Sequence, residues 1–402
     1  MSEEKLQLYS YRWIVLLLFM FANITMQILW ITFAPVTNGA MAFYNVEEFS
    51  ILFLSSIFMI VYIPVTFLSS WLVEKIGFRW GAGIGALLGG IFGFLRFFAG
   101  RNYSLLLIFE IAIAIGQPFL LNSITKLSAN WFPDTERTTA TGLCLISQFI
   151  GILLGFLITP FLVFGNDLSI MLLVYGIVAL ISGGLFIIFA KSRPPTPPSH
   201  AISSERVFLW EGLKKLFTNK YFIILVVLFF VGLGAFNMIS TYINLFVNRR
   251  GGYTAEDAGI LGALMLLGGI IGAILMSALS DKFRKRKLLL LISIFITLVS
   301  LCVLSFTTDL FLLDLFGFLF GFGILSAGPV ALEYAAEITQ PVPEVSSNGI
   351  LMMVGQIGGI LFITVWANYS GDYFPAIVLL AVLTFIIFIL AFFLKEAKKN
   401  NL

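Results

Sequence analysis

Apolar residues fill this chain in long unbroken runs, separated by short polar stretches. Each run is about 20 residues or longer, enough for an α-helix to cross a hydrocarbon core about 30 Å thick. The runs are continuous and do not alternate polar with apolar, so they do not read as strands of a closed barrel. Twelve spans are predicted, over residues 12–37, 48–73, 80–100, 104–131, 138–164, 168–190, 220–247, 256–280, 287–306, 310–335, 346–369 and 373–394. The fold class that follows is an all-α membrane protein of twelve transmembrane helices. Between the sixth and seventh spans lies "KSRPPTPPSHAISSERVFLWEGLKKLFTNK" (191–220). Its prolines cannot continue a helix. Within it, "RVFLWEGLKKLF" (206–217) has the pattern of an amphipathic helix lying along a membrane surface. The expected organisation is an N-terminal six-helix bundle over 1–190, a cytoplasmic linker over 191–219 and a C-terminal six-helix bundle over 220–402.

Composition agrees with the pattern. The 402 residues are 59% hydrophobic and 11% charged, against about 25% charged in a soluble domain. The net charge of +3 hides an asymmetry between the two sets of loops. With the N-terminus inside, the inner side receives Lys5, Arg12, Lys75, Arg79, Lys126, Arg137, the linker cations, "DKFRKRK" (281–287), Lys395, Lys398 and Lys399. The outer side keeps Arg96, Arg101, Arg249 and Arg250. This bias predicts both termini in the cytoplasm. A basic face of this kind is a topology signal, so no nucleic-acid partner is expected. The first run is too long for a signal peptide and lacks a small-residue cleavage pattern. Cys144 and Cys302 both fall in apolar runs and are expected as small core residues, while the single histidine, His200, sits in the polar linker. No metal or redox spacing is present. The glycine clusters "GAGIGALLGG" (81–90) and "LGGIIGA" (267–273) lie inside spans. There they favour close helix packing over a nucleotide loop, because no strand–turn–helix context surrounds them. No cofactor is expected, and the chain does not read as an enzyme.

The two halves repeat. "SSWLVEKIGFRW" (69–80) ends span 2 and "SALSDKFRKRKL" (277–288) ends span 8, so Glu74 matches Asp281 and Arg79 matches Arg286 at an offset of 207 residues. "SQFIGIL" (147–153) and "GQIGGIL" (355–361) match at nearly the same offset, pairing Gln148 with Gln356. Repeated six-span halves are a transporter architecture, with the solute path expected near the membrane midplane. The offset also pairs Trp30 with Asn237.

Polar side chains inside spans need partners, because hydrocarbon offers none. The amides Gln27, Gln117, Asn122, Gln148, Asn237, Asn244 and Gln356 each have two readings. They bond neighbouring helices, or they offer donors and acceptors to a solute. Trp30 is either an interfacial anchor or a wall of the solute path. Gln27, three residues away, either shares its face or bonds a neighbouring helix. Glu110 in span 4 either pairs with Arg96 across a short outer loop or acts in proton coupling. Glu333 and Glu337, one turn apart at the inner end of span 10, read as gate or fold elements. Asp314 is expected to reach water at the outer end of that span.

The loops after spans 2 and 8 resemble the loop motif of the major facilitator superfamily, with Ser70, Glu74 and Phe78 departing from the usual pattern. The resemblance implies the major facilitator fold, two pseudo-symmetric bundles. It also implies a gating role for Glu74, Lys75, Arg79, Asp281, Lys282 and Arg286, beside Glu333 and Glu337 of span 10. A closer resemblance is to the feline leukaemia virus subgroup C receptor family. It is carried by "LSSIFMIVYIP" (54–64), "GQPFLLNSITKLSANWF" (116–132), "GAFNMISTYIN" (234–244), "EYAAEITQPVPEVSSNGIL" (333–351) and "GQIGGILF" (355–362). That family is associated with choline and ethanolamine transport, and historically with haem export. The resemblance implies solute contacts from Trp30, Gln117, Asn237 and Gln356. Gln148, Phe58, Tyr62 and Phe236 would shape the pocket. Asn237 stands where the choline carriers have a tyrosine. The expected function is a secondary transporter of the plasma membrane. It would move a small polar or cationic organic solute by alternating access, as facilitated diffusion. The alternative is a proton-coupled exporter of a metabolite, drug or haem-like compound. The expected partners are a small-molecule substrate and the lipid bilayer, with the chain acting as a monomer.

Overall fold

A computed structural model describes residues 8–133, 135–196, 209–283, 285–340, 342, 344–367 and 374–396. The first span is not one helix. It comprises α1 (Tyr11–Ile31), a 3₁₀ turn at Ala34–Val36 and α2 (Thr37–Tyr44). Pro35, which has no backbone N–H, sits in the turn and prevents continuous α-helical bonding. Hydroxyls bond carbonyls near the break: Thr32 Oγ1 donates to the carbonyls of Ile28 and Leu29, and Thr37 Oγ1 to those of Phe33 and Ala34. Asn45, at φ 52°, ends the span in the left-handed region, where asparagine is among the better tolerated residues.

The remaining helices of the first half are α3 (Glu48–Ile76), α4 (Phe78–Phe98), α5 (Tyr103–Leu121), α6 (Ile124–Trp131), α7 (Arg137–Ile158) and α8 (Ser169–Phe189). Gly77, at φ 85°, makes the one-residue turn from α3 to α4. Asn102 caps α5, its side chain accepting the Leu105 N–H at 3.0 Å. The fourth span is also divided, because Asn122 and Ser123 interrupt it between α5 and α6. In the second half come α9 (Leu209–Thr218), α10 (Lys220–Gly251), α11 (Ala255–Phe283), α12 (Arg286–Phe306), α13 (Leu310–Ile338), α14 (Glu344–Ala367) and α15 (Phe374–Phe392). The helix α9 lies where the linker pattern predicts one. His200 and the rest of 197–208 lie outside the described residues. Among the described residues, twelve segments are long and apolar enough to cross a membrane.

The chain divides into two compact units, Met1–Ser204 and Glu205–Leu402. In the first, α1 packs on α7, α4 on α5 and α8, and α3 on α5. The second repeats that scheme at the corresponding helices: α10 on α14, α12 on α13 and α15, and α11 on α13. Glycines make the closest approaches. A Cβ on Gly85 would stand 2.5 Å from the carbonyl oxygen of Gly116, and one on Gly321 would collide with the carbonyl of Met265. Both predicted glycine clusters lie on such contacts, α4 against α5 and α8, and α11 against α13.

Three details differ from the sequence reading. Cys144 is buried, but Cys302 is exposed on α12 and is no core residue. Asp314 does not open freely to water: it is only half-exposed and its Oδ1 is covered. Arg249 and Arg250 belong to the last turn of α10 and not to a loop.

Candidate solute-binding site

Two of the amides expected at the site meet directly. Asn237, buried on α10, donates through Nδ2 to Oε1 of the half-buried Gln356 on α14, at 3.3 Å. These two helices are principal neighbours in the second unit. The close approach has a local cause: a Cβ on Gly358 would collide with the carbonyl of Phe230, and one on Gly234 would stand 2.9 Å from the backbone of Gly358. The amide pair keeps an acceptor, Asn237 Oδ1, and a donor, Gln356 Nε2, beyond the bond they share. Phe236 is buried next to Asn237. Further along α10, Tyr242 donates from its hydroxyl to the carbonyl of Ile363 at 2.9 Å, and so fastens α10 to α14 a second time.

In the first unit, Trp30 lies in the last turn of α1, immediately before the break. It is 7% exposed. Its indole N–H donates to the Ser55 carbonyl on α3 at 3.2 Å, and Ser55 Oγ points back to the Trp30 carbonyl at 3.5 Å. Phe58, one turn along α3 from Ser55, is buried, and Tyr62 is half-buried. Gln117 is buried on α5 beside Pro118, and Gln148 is half-buried on α7. Gln27 is buried, with its Cβ beside α7: a Cβ added to Gly151 would stand 2.8 Å from it.

Other polar groups act as helix cross-links. Asn122 Nδ2 donates to the Thr66 carbonyl at 3.0 Å, Thr66 Oγ1 at 3.1 Å and Ser69 Oγ at 2.7 Å, all on α3. Asn23, which the sequence reading did not single out, is fully buried and donates to the Cys144 carbonyl at 3.1 Å and Ser147 Oγ at 2.9 Å. Its signal was an amide four residues before Gln27, on the same helical face. Arg96 and Glu110, 0% and 1% exposed, form an ion pair with Nη1 and Oε1 2.7 Å apart.

The loop-motif residues pair inside their own units. Glu74 accepts from Lys126 of α6 at 3.2 Å. Arg79 donates to the Ile187 carbonyl at 2.7 Å, and Lys75 lies over the Trp71 ring at 4.8 Å. In the second unit Arg286 reaches Glu333 at 2.6 Å and Glu337 at 3.3 Å, both on α13. Lys282 lies over the Phe283 ring at 5.7 Å. The side chain of Asp281 lies outside the described residues. Lys126 and Glu333 are themselves 207 residues apart, but their partners are not equivalent: Glu74 lies on α3, whereas Arg286, the counterpart of Arg79, opens α12.

Comparison with known proteins brings these features under one family. The model of the Major Facilitator Superfamily matches residues 13–363 and 252–402. Solute carrier family 49 member A3 of Xenopus tropicalis is 33% identical over 386 residues, covering 90% of this chain and 78% of that protein. The choline/ethanolamine transporter FLVCR2 of Homo sapiens is 29% identical over 372 residues, covering 87% of this chain and 70% of its own. The crystal structure of a bacterial homologue of the human lysosomal transporter Spinster, inward-facing and unoccupied, superposes with a TM-score of 0.76. It does so at 14% identity, covering 98% of this chain and 100% of that one, and so supports the fold. With twelve apolar spans, two units of matching helix scheme and a family match along most of its length, the chain belongs to the major facilitator superfamily and is a multi-pass membrane transporter.

Proposed function

We propose that the chain is a uniporter for a small organic cation carrying a hydroxyl, of the choline or ethanolamine kind, working by alternating access. The observation that carries this reading is the Asn237–Gln356 amide pair. Its remaining acceptor and donor complement a hydroxyl, which both donates and accepts. Trp30, buried one turn from a helix break, supplies the aromatic face a cation needs. Gln117 adds a further amide, and Gln148, Phe58, Tyr62 and Phe236 shape the surroundings. The relatives named as choline/ethanolamine transporters support the same solute class. Glu74, Lys75, Arg79, Asp281, Lys282, Arg286, Glu333 and Glu337 serve the gating of the two units. Glu110 is already held by Arg96, which favours uncoupled transport over proton coupling. The Lys and Arg bias supports both termini in the cytoplasm of a plasma-membrane protein acting as a monomer. Protease protection of terminal tags on intact cells reads that orientation.

The test is uptake of labelled choline and ethanolamine into liposomes containing the purified protein. Trp30→Ala is expected to weaken solute affinity by about 2- to 30-fold, the equivalent of about 0.5–2 kcal/mol. Asn237→Ala is expected to cost about 2- to 12-fold, the worth of one net hydrogen bond of about 0.5–1.5 kcal/mol. If neither solute is transported and an organic anion is, the reading fails.

A further inference from the structure

The indole of Trp30 is held by the Ser55 carbonyl on α3, and the chain on either side of Trp30 is held separately. The residue that does so is Arg96, in the last turn of α4. Its guanidinium is wholly buried, and burying a charge is costly unless it is paired. Nη1 donates to Glu110 Oε1 on α5 at 2.7 Å, and the same nitrogen reaches the Leu29 carbonyl on α1 at 3.4 Å. The guanidinium carbon stands 5.8 Å from the centre of the Phe33 ring, just past the end of α1. Leu29 and Phe33 bracket Trp30 in sequence, one before it and one after the helix has stopped. Phe33 is in turn packed edge-on against Tyr44, the last residue of the broken span, with ring centres 6.4 Å apart. Arg96 therefore touches α1 just before Trp30 and the first residues beyond its end, ahead of the Ala34–Val36 turn.

We propose that Arg96 is a positioning residue for Trp30. Held in place by Glu110, it fixes where α1 ends and so fixes the pose in which the indole meets the solute. The solute part of this rests on the assignment of Trp30 above; the geometric part does not. Chemistry explains the choice of arginine. One nitrogen, Nη1, serves the Glu110 carboxylate and the Leu29 carbonyl while the planar guanidinium lies against the Phe33 ring; a lysine ammonium is a flexible point charge without that planar face. Glu110 then has a role distinct from proton coupling: it orients the fork. A simple strut between α4 and α5 would need neither the Leu29 nor the Phe33 contact.

The experiment uses the full chain in nanodiscs with 5-fluorotryptophan at its seven tryptophans. The Trp30 fluorine resonance is identified by its loss in Trp30→Phe. In Arg96→Lys that resonance is expected to move while those of Trp131 and Trp366 stay in place. Choline KM is expected to rise about tenfold with little change in kcat, the pattern of lost ground-state binding. Glu110→Gln, which keeps the size and an acceptor, is expected to show the same changes in smaller measure. It also serves as the variant of record where Arg96→Lys does not fold. An unmoved Trp30 resonance in both variants overturns the proposal. So does movement of all seven together, which marks a general structural strut. Movement of Trp30 alone, with choline ineffective in the unaltered protein, supports the clamp and overturns the choline reading instead.

Discussion

Two buried asparagines, Asn23 and Asn237, look alike in the sequence and differ in what they hold. Asn23 donates to a carbonyl and a hydroxyl of α7, both part of the helix wall. Asn237 donates to another amide, Gln356, and the pair keeps hydrogen-bonding capacity in reserve. Substitution should separate the two roles. Asn23→Ala is expected to lower stability by about 0.6–2 kcal/mol, the range for interhelical hydrogen bonds in membranes. Solute affinity per folded molecule should stay as it was. A denaturant titration in mild micelles, run beside a binding assay, checks both halves of that statement. A large loss of affinity with unchanged stability would place Asn23 at the solute instead. Residue type alone thus marked where amides enter the apolar spans. It did not tell a strut from a ligand, because that depends on which helix stands opposite. Asn122 shows the point: three acceptors on α3 surround its amide nitrogen, and no local pattern announces them.

At the scale of the helix, adjacent glycines on α8 make opposite demands. A Cβ on Gly183 would stand 2.5 Å from the carbonyl oxygen of Ala86 on α4, whereas a Cβ on Gly184 meets no described atom within 4 Å. Backbone cannot step aside as a side chain can, so Gly183→Ala must push two packed helices apart. Its expected cost is about 1–3 kcal/mol, as for other overpacked contacts. Gly184→Ala relieves the entropic penalty of glycine inside a helix and is expected to stabilise by about 0.4–1 kcal/mol. Thermal melts of the two variants in the same detergent decide it, and equal shifts would mean that α4 and α8 are less closely docked than described. The spans and their glycine-rich contacts were legible, since both follow from apolar run length and small-residue clustering. The break in the first span was not foreseen, although Pro35 was its visible signal. A span-length count passes over an interruption that leaves total hydropathy unchanged. The division of the fourth span at Asn122 and Ser123 was missed for the same reason.

At the scale of the whole chain, the 207-residue offset and the matching helix schemes of the two units describe the same duplication, once in sequence and once in packing. The repeat is legible because it is written in helix ends and glycines; the solute is not, because it depends on a few side chains. Coupling, however, follows from charge. Among the described residues the deeply buried acid is Glu110, and its partner Arg96 neutralises it in place. Glu333 and Glu337 are partly exposed and share Arg286 at the end of α13. A carrier that moves one organic cation with no counter-moving proton carries net charge across the bilayer. The membrane potential then drives it at about 2.3 kcal/mol per 100 mV, which corresponds to roughly 50-fold accumulation at equilibrium. In proteoliposomes, an inside-negative potassium diffusion potential is therefore expected to concentrate choline to that order. Collapsing the potential should abolish accumulation while leaving exchange intact, and a pH gradient alone should concentrate nothing. Glu110→Gln is expected to keep the voltage dependence, as in any carrier whose moving charge belongs to the solute and not to the protein. If instead a pH gradient alone drives uptake and Glu110→Gln abolishes it, the Arg96–Glu110 pair is a proton switch and the carrier is coupled.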